Sequence, residues 1–228
     1  MAEPDPQTVA REAAAAAAAE LVEPGMTIGL GSGRAVWRLV ELLGSGSVQV
    51  RGAVASERTH RLARDVGIEV VELDGSVQLD LALDGADEVD PELRLIKGGG
   101  GALLREKILA SAARRFVVVA EVEKQVPRLG QTFRLPVEVA RFAWRDTRRR
   151  LAALLPLPEL RMTAGEPYVT DEGHYILDCE LTGDRDPEEI ARELDRTPGV
   201  VEHGLFIGMA ERALLGRPDG EVNLVLAA

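Results

Sequence analysis

One cysteine, Cys179, is all that the 228 residues offer, which excludes an intramolecular disulfide framework and any multi-cysteine zinc or iron–sulfur site. The three histidines, His60, His174 and His203, show no metal-ligand spacing, and no metal is expected. Net positive charge is missing too: 38 acidic against 27 basic residues give −11. A protein that neutralises nucleic-acid phosphates would be basic, so no nucleic-acid partner is expected. No uninterrupted apolar run reaches the roughly 18 residues of a membrane span. The alanine run Ala13–Ala19 is a good helix former but too weakly hydrophobic to anchor, and Glu3 and Asp5 stand where a signal peptide would carry positive charge. These absences lead to the expectation of a soluble, cytoplasmic chain with no membrane partner. Lysine is the last scarcity. Lys97, Lys107 and Lys124 are the only three, against 24 arginines, and they share one short stretch.

What is present fits a globular protein of one domain or a domain and a half, 46% hydrophobic and 29% charged. The first half alternates strand and helix signals. Apolar runs at Met26–Leu30, Val50–Ala55, Ile68–Leu73, Leu79–Leu83 and Phe116–Ala120 read as strands. Helices fall between them: one through Val36, Leu39, Val40 and Leu43, one capped by Ser56, and one from about Ala102 to Arg115. The pattern predicts an α/β fold with a mostly parallel sheet covered by helices on both faces. Gln131 to His203 reads as a smaller α+β subdomain. It should hold a helix from Arg141 to Leu155, strands at Pro167–Val169 and Tyr175–Leu181, and a helix capped by Asp186, with Pro187 at its first position and Gly199 past its end. Gly204–Gly208 and Val222–Leu226 are expected to return to the first sheet. The expected division is residues 1–130 with 204–228 as the catalytic unit, and 131–203 as a subdomain that could serve as an oligomer interface.

In such sheets ligands bind beyond the carboxyl ends of the strands, and four motifs stand there. Gly29-Leu-Gly31-Ser-Gly33-Arg34 joins a strand to a helix, where bare N–H groups and the helix dipole favour an anion and Arg34 could add a charge. It is neither a dinucleotide fingerprint nor a Walker loop. Asp84-Gly-Ala-Asp87-Glu88 crowds three carboxylates together; at least one should titrate high if the site is enclosed, and an acidic surface turn is the plainer alternative. Four glycines, Gly98 to Gly101, follow Lys97 and open a helix, where they can bare N–H groups toward a developing negative charge. On a helical wheel Lys107, Ser111 and Arg114 share the expected solvent face, whereas Glu106 falls among Ala102, Leu103, Leu109, Ala110 and Ala113. A carboxylate on an apolar face is costly unless paired or used. Glu106 is therefore either half of a buried pair with Lys97 or Arg105 or, the preferred reading, a catalytic base. Lys124, after Phe116–Val119, either reaches a ligand phosphate or sits solvated on a charged turn.

The string DGADEVDPELRLIKGGGGALLREKI, with GLGSG upstream and LPVEV downstream, closely resembles ribose-5-phosphate isomerases of the A type. PGVVEHGLF and the stretch Gly216 to Gly220 do so as well, and the resemblance runs from about Arg11 to the C-terminus. It implies an aldose–ketose isomerase that interconverts ribose 5-phosphate and ribulose 5-phosphate, in the non-oxidative branch of the pentose phosphate pathway, through an enediolate. It implies no cofactor and a homodimer or homotetramer. By the same resemblance Glu106 carries a proton between C2 and C1. Asp84, Asp87 and Lys97 assist ring opening and proton movement among the sugar oxygens, and Gly98, Gly99 and Gly100 donate N–H groups to the enediolate oxygen. Gly31, Ser32, Gly33 and Lys124 match the phosphate site, and Arg11 stands where the family often has lysine.

The chain also departs from that pattern. The family's loop usually reads GTGST, whereas Gly31-Ser-Gly-Arg34-Ala35 loses two hydroxyls and gains a guanidinium, which is expected to replace them. Glu121 and Glu123 replace the usual Asp and Ser beside Lys124. Two readings from other classes compete: a non-catalytic sugar-phosphate sensor, and a CoA-transferase-like enzyme on the same fold. The sensor would normally carry a DNA-binding segment, whereas only about 20 residues precede the first expected strand; the Asp84–Glu88 block argues against the transferase.

Overall fold

Thr27–Leu30 carries no charged residue to turn toward water, and the strand it forms, β1, is buried on both faces. The structure, a computed structural model, describes residues 5–46 and 49–226. Helix α1 (Pro6–Ala19) precedes β1 and is capped by Asp5, whose carboxylate accepts from the Thr8 N–H. Then come α2 (Arg34–Ser45), β2 (Arg51–Val54), α3 (Glu57–Asp65), β3 (Glu69–Val70), β4 (Leu81–Asp84), β5 (Glu88–Val89), β6 (Leu95–Ile96), α4 (Leu103–Ala112) and β7 (Phe116–Glu121). The chain continues through β8 (Leu135–Val139), α5 (Trp144–Leu151), β9 (Glu159–Leu160), β10 (Met162–Thr163), β11 (Glu166–Pro167), β12 (Tyr175–Cys179) and α6 (Pro187–Asp195). It ends with β13 (Val200–His203), β14 (Leu205–Phe206), β15 (Arg212–Gly216) and β16 (Val222–Leu226).

The main sheet runs β16-β15-β7-β4-β1-β2-β3, parallel throughout except where β16 joins β15. Alternate residues face opposite layers. Leu81, Leu83, Val117 and Val119 pack under α1 and α2, while Ala82, Phe116 and Val118 pack on the other side with Ala110 of α4 and Phe206. The alanines of α1 let it lie directly on the sheet: Ala10, Ala14, Ala15 and Ala18 are wholly buried, and a Cβ on Gly216 would collide with the Ala10 carbonyl. A second, antiparallel sheet, β13-β8-β12-β9, buries Leu135, Val137 and Leu177 with Ile190 and Leu194 of α6.

Several expectations need correction. Gly204–Gly208 does not return to the main sheet; β14 pairs with β6 in a three-stranded sheet β14-β6-β5. The strand that does return beside β7 is β15, whose four-residue apolar core was too short to signal itself. The helix expected from Arg141 starts only at Trp144, after Ala143 adopts a left-handed φ of 53° that no helix can include, and it ends at Leu151. Ile68–Leu73 contributes only the two-residue strand β3, and of Pro167–Val169 only Pro167 is in a strand, as the second residue of β11. Lys107 is not on a solvent face: β13 covers that side of α4, and the ammonium donates to Glu202 (2.6 Å) and to the His203 carbonyl (2.7 Å).

Candidate active site

The strand order reverses between β1 and β4, where an open α/β sheet forms a crevice at its carboxyl ends. The two loops that leave these strands are tied together. The Gly31 N–H donates to the Leu83 carbonyl (3.0 Å) and the Ser32 N–H to Asp84 Oδ1 (3.1 Å). A Cβ on Gly31 would fall inside the Asp84 carboxyl group, so glycine is required there for contact with an acid. Above them lies a cleft of about 630 Å³, lined by Ser32, Gly33, Arg34, Asp87, Lys97, Gly98, Gly99, Gly100, Glu106 and Lys124.

Its floor is an ionic cluster. Lys97 leaves β6 with its Nζ 2.7 Å from the Gly85 carbonyl, 2.9 Å from Asp84 Oδ2 and 3.1 Å from Glu106 Oε2. The ammonium donates a hydrogen bond to the carbonyl and forms ion pairs with the two carboxylates, whose oxygens Asp84 Oδ2 and Glu106 Oε2 are buried without a hydrogen-bond partner. Lys97, Asp84 and Glu106 are 2%, 3% and 5% exposed; Glu106 is paired with Lys97, as one reading has it, and it also lines the cleft. One ammonium cannot neutralise two carboxylates. Burial pushes Glu106 up to about 8, reinforced by the Asp84 charge and opposed by Lys97. Burial likewise raises Asp84 above the usual carboxylate range, against the pull of Lys97 and of the Gly85 and Ser32 N–H groups. Burial works against the Lys97 charge, but Asp84 and Glu106 outweigh it and hold the ammonium above its ordinary value.

The glycine loop forms the facing wall. Asp87 Oδ2 accepts from the Gly99 N–H (2.7 Å), and Gly101 has a φ of 85° with Tyr168 packed where a Cβ would stand. The third acid of the string turns away: Glu88 is buried and accepts from the N–H groups of Gly130 (2.6 Å) and Phe133 (2.8 Å), pinning that loop. At the other end the N-terminus of α2 meets Lys124. Arg34, Arg58, Arg61 and Lys124 line this end, and among the described residues none forms an ion pair with a carboxylate. The Arg58 guanidinium lies 3.5 Å from the centre of the Trp37 ring.

Three expected site residues do not line the cleft. Asp84 and Gly31 stand behind it, and Arg11 pairs with Glu121 (2.9 Å) and borders a separate recess beside α2. Conversely, Arg58, Arg61, Tyr168 and Asp171 line the cleft without having been singled out. For Arg58 the signal was its place in the first turn of a helix that follows a strand's carboxyl end. Tyr168 and Asp171 follow β11, far along the chain from the other cleft residues, and nothing in their local sequence points to the cleft. His203 has other work. His203 accepts at Nδ1 from the Leu205 N–H (3.2 Å), and burial pushes it down to about 3, so it is neutral and its Nε2–H faces Asp195 (3.1 Å).

The family model for ribose 5-phosphate isomerase A (phosphoriboisomerase A) matches residues 51–220. The ribose-5-phosphate isomerase A of Roseiflexus sp. (strain RS-1) is 52% identical over 220 residues, covering 94% of each chain. That of Synechococcus sp. (strain JA-3-3Ab) is 47% identical over 216 residues, 92% of this chain and 94% of the relative. Among solved structures, ribose 5 phosphate isomerase A from Neisseria gonorrhoeae matches with a TM-score of 0.91 at 34% identity, covering 98% of both chains. A D-ribose-5-phosphate isomerase in complex with phospho-erythronic acid matches at 0.90 and 35% identity, covering 95% of this chain and 97% of that one. With likeness in sequence and in fold along nearly its whole length, the chain belongs to the ribose 5-phosphate isomerase A family.

Proposed function

We propose that Glu106 is the base that moves a proton between C2 and C1 of ribose 5-phosphate, whose interconversion with ribulose 5-phosphate is the known reaction of this family. The observation that carries the reading is a buried carboxylate held by Lys97 on the floor of the cleft, which burial pushes up to about 8. In its ionised form Glu106 removes the C2 proton. The C2 electron pair becomes the C1–C2 double bond, and the carbonyl electrons move to O1, giving an enediolate. Glu106 then returns its proton to C1 while a proton passes from O2 to O1, an exchange bordered by Asp87 and Lys97.

The enediolate charge is met by N–H groups of the Gly98–Gly100 loop. The phosphate sits at the N-terminus of α2 with Ser32, Gly33, Arg34 and Lys124, where the dipole and two cations favour it. Asp84 acts through Lys97, which it holds in place. Such a clamp turns remote binding energy into orientation at C1 and C2. The working form of the enzyme is a homodimer or homotetramer in the cytoplasm. Phe142, 90% exposed, and the exposed Leu157, Met162 and Val169 all belong to the small subdomain and support an assembly role for it. No helix among the described residues is long and apolar enough to cross a membrane.

The test is turnover of ribose 5-phosphate in deuterated water. Ketose carrying deuterium at the reacting carbon is the expected result. Binding without turnover would favour the sensor reading, and a glutamyl thioester trapped by hydroxylamine would favour the transferase.

A further inference from the structure

Two side chains from residues 131–203, a segment in which the sequence shows no chemistry, hydrogen-bond to carbonyls of the glycine loop: the Tyr168 hydroxyl donates to Gly100 (3.2 Å), and Arg161 takes Gly98 and Gly99. Arg161, between β9 and β10, is gripped by Asp178 of β12, whose carboxylate accepts from Nε (2.9 Å) and from Nη2. The remaining nitrogen, Nη1, donates to the carbonyls of Gly98 (2.9 Å) and Gly99 (3.1 Å). A trans peptide points its N–H opposite to its C=O. With the Gly98 carbonyl turned to Arg161, the Gly99 N–H points the other way, and it meets Asp87 Oδ2 at 2.7 Å. The Gly99 carbonyl, turned to the same guanidinium, sends the Gly100 N–H toward the side where Asp87 borders the cleft. Among the described residues no protein group accepts from that N–H.

Consecutive glycines have no side chains to choose among peptide orientations, so something outside the loop must choose. We propose that Arg161 is a positioning residue for the isomerisation: its paired hydrogen bonds fix the loop with the Gly99 N–H on Asp87 and the Gly100 N–H free for the substrate oxygen that becomes charged. Asp178 fixes the guanidinium in turn. The inference rests on the enediolate reading of the glycine loop given above.

The experiment compares the full chain with Arg161→Met and Arg161→Lys in kcat, KM and melting temperature. It also measures binding of inorganic phosphate and of a phosphorylated hydroxamate that mimics the enediolate. For Arg161→Met, kcat should fall about 10²-fold, the scale of one lost oxyanion donor, with KM within about threefold. Hydroxamate affinity should fall in parallel and phosphate affinity should hold. Added guanidinium ion should restore part of kcat, and Arg161→Lys should keep more activity than the methionine variant. A folded Arg161→Met with parent-like kcat overturns the proposal, as does a loss of kcat with hydroxamate affinity intact. If that variant does not fold, Asp178→Asn decides: it leaves the guanidinium in place but loosens its grip, so the same split should appear at smaller size, and parent-like kinetics refute the idea. Failure of the underlying reading looks different, because Glu106→Gln would then keep its turnover whatever happens at Arg161.

Discussion

A carboxylate shut away from water beside a second carboxylate gains protons easily, so the base form of Glu106 grows as pH rises through about 8. The acid limb of kcat/KM should therefore lie well above the ordinary carboxylate value of 4.5. Glu106→Gln should lower kcat by about 10²- to 10⁴-fold at every pH, as loss of a positioned base does. The same shift makes a statement about stability. The folded state holds this proton more tightly than the unfolded chain, so its contribution is full below 4.5 and is lost as pH rises through about 8. Glu106→Gln should accordingly melt higher than the parent at pH 9 and lose that advantage at pH 4; the opposite trend in a thermal scan would contradict the burial account. In the cleft, Arg34 pairs with no acid among the described residues and stands where the family's usual loop carries a hydroxyl. Arg34→Ala should raise KM about tenfold with a smaller change in kcat, and an unchanged KM would remove Arg34 from the phosphate site.

At the scale of elements, α4 joins the two halves of the molecule. Its N-terminal loop faces the cleft, one side packs on the main sheet, and the other is bolted to β13 by Lys107. A wheel drawn for α4 alone places Lys107 in solvent because it cannot know that another layer covers that side. Lys107→Met would strip Glu202 and the His203 carbonyl of a shared donor in a mostly buried setting. It should cost about 1–3 kcal/mol in denaturant unfolding, with kcat lowered less than by Glu106→Gln. The ends of α3 and α6 were readable because their caps are local: Ser56 accepts from the Thr59 N–H and Asp186 from the Glu188 N–H. The strands β5, β6 and β14, two residues each, pair with one another, β5 also bridges from Val89 to Gln125, and no local pattern marks these pairings.

For the whole molecule, a net charge of −11 has to admit an anionic substrate. The rim of Arg34, Arg58, Arg61 and Lys124 provides local attraction that the total conceals. Assembly belongs to this scale as well. Phe142 leaves an apolar side chain 90% exposed, which contact between copies would take out of water. Phe142→Asp should lower the molecular mass read by light scattering; a mass equal to the parent's would place the interface elsewhere.

The sequence by itself determined the alternation of strands and helices, the glycine turns after β1 and β6, and the burial of Glu106. Each of these follows from periodicity, caps or the cost of an acid on an apolar face, all properties of a short window of chain. Tertiary structure alone decided which acids share Lys97, that Glu88 turns away to hold a loop, that Arg11 is taken by Glu121, and that Arg161 reaches the glycine loop. Those outcomes depend on partners 9 to 110 residues apart, brought together at the switch point between β1 and β4 and where Arg161 meets the glycine loop. Charge and hydrogen bonding act over a few ångströms of space, and no spacing along the chain encodes that distance.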